Sequence, residues 1–161
     1  MRRVVCPGSF NPVTKGHLDV FERSALLFDE VVVLLMYNSS KSYPVPLDAR
    51  AEWIRRSVAH LSSVKVDIYD GLLTDYVRKS RAIGVVKGIR NVSDLTYEMQ
   101  MHYANGVLLQ PEGIETVFLP ASSEHVFLSS TLVREIAWHG GQVDTLVPDC
   151  IAQEVANAYR K

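Results

Sequence analysis

Residues 3–37 read RVVCPGSFNPVTKGHLDVFERSALLFDEVVVLLMY, and this stretch decides the fold. A first strand is predicted over Arg3–Cys6 and ends at Pro7-Gly8. Apolar side chains then recur from Leu18 to Phe28 at the spacing of an amphipathic helix. Val31–Tyr37 is predicted as a second strand, apolar without alternation, as in a strand covered on both faces. Strand, helix and buried strand in this order indicate a βαβ unit with parallel strands.

The same alternation continues to the end of the sequence. Asp48 and Asp94 are predicted as the N-caps of two further helices. A helix over Ser129–Trp138 and a last helix from Cys150 to about Tyr159 close the pattern. Three more short apolar runs are predicted as strands: Val64–Tyr69, Ile83–Val86 and Thr116–Leu119. The sequence therefore predicts an α/β protein, with a Rossmann-like, doubly wound five-stranded parallel sheet and helices on both faces.

Length and charge restrict the class of protein. A chain of 161 residues that is 47% apolar supplies one hydrophobic core, so residues 1–161 are predicted to form a single domain. The net charge of −1 argues against a large sequence-independent affinity for nucleic acid. The longest apolar run, Val31–Met36, is too short to span a membrane, and no signal-peptide core follows Met1. Two distant cysteines, Cys6 and Cys150, favour a reduced, cytoplasmic protein.

Parallel sheets bind ligands beyond the carboxyl ends of their strands, which directs attention first to the segment PGSFNPVTKGHLD after strand one. Ser9 offers a hydroxyl and a main-chain N–H. His17 stands where the next helix begins, and a helix N-terminus favours an anion. His17 is a candidate donor to a phosphate oxygen, and the alternative is that it only caps the helix.

A second candidate segment, VVKGIRNVSDLTYEMQ, follows strand four. Lys87 and Arg90 flank Gly88, an arrangement that suits a polyanionic ligand, although a solvated loop with two charges is the alternative. Glu98, one turn into the next helix, is a candidate to hydrogen-bond a ribose or to pair with a cation of this loop, and the alternative is a solvated glutamate.

The third candidate segment is SSEHVFLSSTLVRE, in which Ser129, Ser130 and Thr131 provide three consecutive hydroxyls at a helix start. They predict a phosphate nest or, more simply, an N-cap. Lys41, in the loop after strand two, is either a further ligand or a solvated lysine. The sequence lacks GxxxxGK[ST], GxGxxG and a positioned nucleophile. Cations, hydroxyls and helix ends without a nucleophile fit phosphoryl or nucleotidyl transfer.

Together these segments resemble the phosphopantetheine adenylyltransferases of bacterial coenzyme A synthesis. PGSFNPVTKGHLDVFERSA is similar to that family's opening and contains the T/HxGH signature of the nucleotidyltransferases in TKGH. KGIRNVSDLTYEMQM and FLSSTLVREIAWHGG are similar to its second and third signatures. The resemblance implies adenylyl transfer from ATP to 4′-phosphopantetheine, which yields dephospho-coenzyme A and pyrophosphate. The lack of a positioned nucleophile in the three segments predicts direct attack without a covalent intermediate.

The resemblance also implies roles for individual residues. His17 would stabilise the transition state at the α-phosphate, assisted by Lys41 and Arg90. The expected phosphopantetheine contacts are Ser9, Lys41, Leu73 and Lys87. The expected ATP contacts are Ser9, Phe10, His17, Gly88, Ile89, Arg90, Glu98, His125, Val126, Phe127, Leu128, Ser129, Ser130 and Thr131. Mg²⁺ is expected to enter with ATP rather than on a protein metal site, coenzyme A to inhibit by occupying the site, and the chain to form a homohexamer.

Three positions depart from the family pattern. Asn11 replaces a usual aspartate, Lys87 replaces the commoner arginine, and His125 stands where Trp or Tyr is frequent. SSTLVR also resembles the ISSTxxR element of the nicotinamide-nucleotide adenylyltransferases. That family is the alternative enzyme, and a nucleotide-binding regulator without catalysis is the alternative class of protein.

Overall fold

The computed structural model describes residues 1–37, 43–109 and 113–161, and within them five strands form one parallel sheet in the order β3-β2-β1-β4-β5. The strands are β1 (Arg3–Gly8), β2 (Glu30–Met36), β3 (Val64–Tyr69), β4 (Gly84–Ile89) and β5 (Glu115–Pro120). The helices are α1 (Lys15–Leu27), α2 (Leu47–Ser57), α3 (Leu73–Ser80), α4 (Val92–Leu109), α5 (Ser130–Trp138) and α6 (Ala152–Tyr159), the last preceded by a 3₁₀ turn over Asp149–Ile151. The Rossmann-like fold expected from the sequence is confirmed.

Helices cover both faces of the sheet, as the unbroken apolar run of β2 predicted. Side chains of a strand point alternately to opposite faces. Val31, Val33 and Leu35 accordingly join one core cluster, whereas Val32 and Leu34 join another. Helices α1, α2, α5 and α6 contribute to the first cluster and α3 to the second. No helix in the described ranges is both long and apolar enough to cross a membrane.

Several predicted boundaries were wrong. Strand β4 runs to Ile89, so Lys87 and Gly88 lie inside a strand and not in the loop after it. Pairing with β5 as far as Ile89 and Pro120 extends the strand, and a local propensity argument cannot see that pairing. Asp48 lies in the first turn of α2, which Pro46 precedes. Asp94 likewise lies within α4, where its N–H donates to Asn91 Oδ1 at 2.8 Å.

A crevice opens where β1 and β4 part. These central strands pair only at Val4 with Gly84 and at Val5 with Val85. Beyond that point β1 stays paired with β2 as far as Gly8, and β4 stays paired with β5 as far as Ile89. The chain order reverses between β1 and β4, which is where open parallel sheets bind their ligands. The fold therefore places the three candidate segments around one opening.

Candidate active site

A cleft of about 1610 Å³ lies beyond the carboxyl ends of β1 and β4. It is lined by most of the residues that the sequence singled out: Ser9, Phe10, His17, Leu73, Lys87, Gly88, Arg90, Glu98, His125, Leu128, Ser129, Ser130 and Thr131. Residues more than 100 positions apart in the sequence thus share one site. Lys41 lies outside the described residues.

Three of the expected ATP contacts do not line this cleft. Ile89 ends β4, and its carbonyl accepts a hydrogen bond from Ala121 N–H at 2.8 Å. Val126 lies in the turn after β5, and Phe127 beside it is 90% exposed. The resemblance assigned the whole stretch from His125 to Thr131 to the site, whereas the turn directs only some of these side chains toward the cleft.

His17 is the third residue of α1, and it both caps this helix and lines the cleft. Thr14 N–H donates to His17 Nδ1 at 3.0 Å, which completes a capping box with the Thr14 hydroxyl. Because Nδ1 accepts this bond, the proton of the neutral ring is assigned to Nε2. Burial, with a smaller effect of the Arg90 charge, lowers the pKa of His17 to about 4. His17 is therefore a neutral donor at neutral pH, and the two roles left open by the sequence are compatible.

The loop after β1 is held in an uncommon backbone conformation. Phe10 has a φ of +42°, a region that non-glycine residues rarely occupy. Its ring is buried and packs edge-on against His17 and Phe21, with centroids 5.1 and 5.5 Å away. Gly8 is required beneath that ring, since a Cβ there would lie 2.7 Å from its Cζ. With its ring in the core, Phe10 can meet a nucleotide only through its main chain.

The two cations of the second segment are held by carboxylates of α4. Lys87 Nζ lies 3.1 Å from Glu98 Oε2, and both side chains are half-buried. Arg90 donates to both carboxylate oxygens of Asp94, at 2.8 and 3.2 Å, and to the carbonyl of Leu128 at 3.0 Å. Of the alternatives for Glu98, the structure shows the ion pair. The alternative of a freely solvated loop is wrong, because Arg90 joins β4 to the turn before α5.

The hydroxyls of the third segment are mostly used within the protein. Ser129 caps α5 by accepting from Leu132 N–H at 3.1 Å, as the N-cap alternative predicted. Ser130 Oγ donates to the Pro12 carbonyl at 2.7 Å, and Thr131 Oγ1 accepts from Arg134 at 3.1 Å. What this helix start offers the cleft is chiefly its main-chain N–H groups, which a first helical turn leaves without intrahelical acceptors.

Sequence reasoning missed three polar residues around the cleft: Arg134, Tyr159 and Arg50. Arg134 donates to the main-chain carbonyl of Asn11. The Tyr159 hydroxyl donates to the side-chain oxygen of Asn11. Arg50 is buried beside Ser9 and donates to its carbonyl. Arg134 was visible as the last residue of the SSTLVR element. The others carry no local signal, since each acts through a contact of more than 40 residues in sequence separation.

A nucleophile and a protein metal cage are both hard to build from these residues. Cys6 lines the cleft, but burial raises the pKa of its thiol to about 12, so it remains protonated. In the part of the chain that the structure describes, no group of three or more His, Cys, Asp or Glu side chains could hold a metal ion. The cleft instead gathers a neutral histidine donor, two cations and a helix N-terminus, groups that position and stabilise phosphates.

This fold and site define a nucleotidyltransferase, and a cytidylyltransferase-like family model matches residues 5–136. A solved structure from Vibrio parahaemolyticus, assigned as a nicotinate-nucleotide adenylyltransferase, shares the fold with a TM-score of 0.71 at 20% identity, over 100% of this chain and 97% of its own.

Closer similarity is found with curated enzymes. The phosphopantetheine adenylyltransferase of Thermodesulfovibrio yellowstonii is 41% identical over 98% of this chain and 97% of its own. That of Picosynechococcus is 46% identical over 97% and 86%, and that of Shouchella clausii 38% over 100% of both chains. The chain belongs to the phosphopantetheine adenylyltransferase family.

Proposed function

We propose that the protein transfers the adenylyl group of ATP to 4′-phosphopantetheine, giving dephospho-coenzyme A and pyrophosphate. One observation carries the proposal: the chain matches phosphopantetheine adenylyltransferases over nearly its whole length, and its cleft gathers the corresponding signature residues. The noncatalytic alternative is disfavoured, because His17, Lys87 and Arg90 are all present in the cleft.

In the proposed reaction a 4′-phosphate oxygen attacks the α-phosphorus of ATP. The new P–O bond forms as the bond to the bridging β-phosphate oxygen breaks, and the electron pair leaves with pyrophosphate. His17 donates its Nε2 proton in a hydrogen bond to an α-phosphate oxygen as charge grows there. No covalent enzyme intermediate is required, which agrees with the protonated state of Cys6. Inversion of configuration at a chiral α-thiophosphate is expected, and retention would contradict direct attack.

The remaining groups of the cleft bind the two substrates. The N–H groups at the start of α5, together with Arg90, would receive the leaving phosphates of ATP. Ser9, Leu73 and Lys87 would meet phosphopantetheine, together with Lys41. Gly88 allows close approach of α1 to β4, since a Cβ there would lie 2.9 Å from Val20 Cγ2.

We also propose that Mg²⁺ accompanies ATP. Because the described residues offer no metal cage, the ion would take its ligands mainly from the phosphates, as Mg²⁺ commonly does. When bound it would neutralise phosphate charge. Asn11 in place of aspartate fits this view, since its side-chain oxygen is already engaged by the Tyr159 hydroxyl.

The acceptor can be tested directly against the alternative enzyme. The proposed acceptor contacts, three polar groups and one leucine, suit a phosphate on an aliphatic amide chain and include no ring to stack on a pyridinium. We expect kcat/KM for phosphopantetheine to exceed that for nicotinamide mononucleotide at least ~10³-fold, about 4 kcal/mol of differential transition-state binding. Pyrophosphate release with each acceptor measures this ratio, and equal rates or a preference for the mononucleotide would overturn the assignment.

A homohexamer is proposed on the family resemblance, and α4 supports subunit association. One face of this helix, with Glu98, Met101 and Asn105, lines the cleft. The opposite face carries Leu95, Met99 and Tyr103, all exposed. An apolar stripe on a helix is normally covered, and a second copy of the chain would cover this one.

The assembly is tested by light scattering. We expect a mass six times the 18.0 kDa of one chain, and we expect Met99→Glu to reduce it. Leu26→Glu is the control, because Leu26 is an apolar, exposed residue on a different helix, α1. A wild-type mass near 18.0 kDa at micromolar concentration would contradict the assembly, and equal dissociation by both variants would contradict the role of α4.

Two further properties follow from the proposed reaction. Coenzyme A contains the phosphopantetheine arm and the adenosine of the product, so it is proposed to inhibit by occupying the same cleft. Competition of coenzyme A with ATP in initial-rate measurements tests this. A cytoplasmic location is proposed because Cys6 and Cys150 are both free thiols.

A further inference from the structure

Arg50 is a buried charge that the proposed reaction does not use. It lies on α2 and is 1% exposed. Among the described residues, no carboxylate lies within ion-pair distance of its guanidinium. It donates instead to the carbonyls of Ser9 and of Val45, the latter at 3.2 Å, and its Cζ lies 4.2 Å from the centroid of the Tyr43 ring. A buried cation without a counter-charge is costly, so its contacts deserve a functional explanation.

The bond to Ser9 fixes the orientation of one peptide group. In a planar trans peptide the C=O and the following N–H point in opposite directions. Because the Ser9 carbonyl accepts from the buried Arg50, the Phe10 N–H points away from Arg50. Ser9 and Phe10 both line the cleft. No acceptor for this N–H is found within the described ranges.

The backbone at this peptide would not keep its conformation unaided. Phe10 has a φ of +42°, a region in which a non-glycine residue is strained. Ring packing of Phe10 against Phe21 fixes its side chain, and Arg50 fixes the carbonyl on the other side of the peptide. Strain of this kind persists where the surroundings over-determine it, and it is concentrated at functional sites.

We propose that Arg50 is a positioning residue, which holds the Ser9–Phe10 peptide so that the Phe10 N–H donates to a phosphate oxygen of ATP. Arg50 itself does not touch the nucleotide. This inference takes only the identity of the nucleotide, ATP, from the proposed function; the positioning of the peptide by Arg50 does not depend on it.

The first test separates positioning from stability. Arg50→Met removes both hydrogen bonds, and Arg50→Lys, which keeps the charge but not the planar fork, serves if the first variant folds poorly. Ser57→Ala is the matched control, because this buried serine on the same helix donates to the Trp53 carbonyl at 2.7 Å, away from the cleft. In each variant the urea midpoint, the Kd for ATP by calorimetry and the KM for both substrates are measured.

We expect the Arg50 variants to weaken ATP binding about tenfold or more and to raise the KM for ATP more than that for phosphopantetheine. Ser57→Ala should lower the urea midpoint without changing the Kd for ATP or the KM for either substrate. Equal losses for both substrates, or ATP binding as tight as in Ser57→Ala, would overturn the proposal. Tyr43→Leu removes the ring but leaves the bond to Ser9, so an equal loss there would assign the effect to the ring and also contradict the proposal.

The amide itself gives the second test. The chain has five phenylalanines, so selective ¹⁵N labelling yields at most five amide signals, and Phe10→Leu identifies the one from Phe10. ATP should shift this signal in the wild-type protein and not in Arg50→Met at saturating ATP. The same shift in both proteins would refute the inference. If ATP produces the expected pattern while phosphopantetheine is not adenylylated, the proposed acceptor fails and the role of Arg50 stands.

Discussion

Replacing His17 by alanine separates a helix cap from a catalytic donor, because the same ring serves both. The bond from Thr14 N–H to Nδ1 belongs to the capping box, and loss of a cap costs about 1 kcal/mol of stability. Nε2 carries the proton that the proposed transition state requires. Removing one such donor typically lowers kcat ~10²–10³-fold, equivalent to about 3–4 kcal/mol. The expected catalytic loss thus exceeds the expected stability loss about threefold in free energy.

His17→Glu makes the comparison sharp. Glutamate at the third helical position completes a capping box and is favourable near a helix N-terminus, but a carboxylate cannot donate to a phosphate oxygen. We expect His17→Glu to match the wild-type urea midpoint and to be at least as inactive as His17→Ala in pyrophosphate release. Near-normal kcat in either variant would refute the catalytic role. If activity falls only in the variant whose urea midpoint falls, His17 acts only as a helix cap and not as a catalytic donor.

Three more predictions concern pH, the ion pair of the second segment and a close contact. His17 has a pKa of about 4 in the folded protein and about 6.5 in the unfolded chain, so only the unfolded chain gains its proton as the pH falls through this window. Between pH 7 and 4 the free energy of unfolding of the wild type should therefore fall by up to about 3 kcal/mol more than that of His17→Ala. Parallel curves of unfolding free energy against pH for the two proteins would contradict the lowered pKa. Lys87→Ala should raise the KM for phosphopantetheine at least ~10-fold, because a charged hydrogen bond is lost. Adding Glu98→Gln should recover part of this loss, since it removes the charge of a carboxylate whose partner, the ammonium 3.1 Å away, is missing in the single variant. If initial-rate kinetics give the double variant no lower KM than the single one, Glu98 does not oppose phosphate binding. Gly88→Ala should cost about 1–3 kcal/mol in urea unfolding, since its Cβ would lie 2.9 Å from Val20 Cγ2, and an unchanged midpoint would show that α1 moves away freely.

Much of the scaffold was predictable because its signals are local. The predicted strand Val64–Tyr69 has the observed bounds, and the apolar run at Val31 correctly indicated a strand covered on both faces. Ser129 was recognisable as an N-cap from its hydroxyl and its place before an apolar stripe. Strand four was drawn too short, because Lys87 and Gly88 have low strand propensity and only pairing with β5 makes them part of the sheet.

The candidate site divides in the same way. The amino-acid sequence by itself determined the alternation of strands and helices, the three segments at the strand ends and the family signatures within them, since each is a pattern among neighbouring residues. Only the tertiary structure decided the protonation and tautomer of His17, the pairing of Lys87 with Glu98, and the burial of Arg50 against the carbonyl of Ser9. The physical reason is that burial, pKa and hydrogen-bond partners depend on which groups surround a side chain in space. In a parallel sheet, those groups come from segments far apart in the chain.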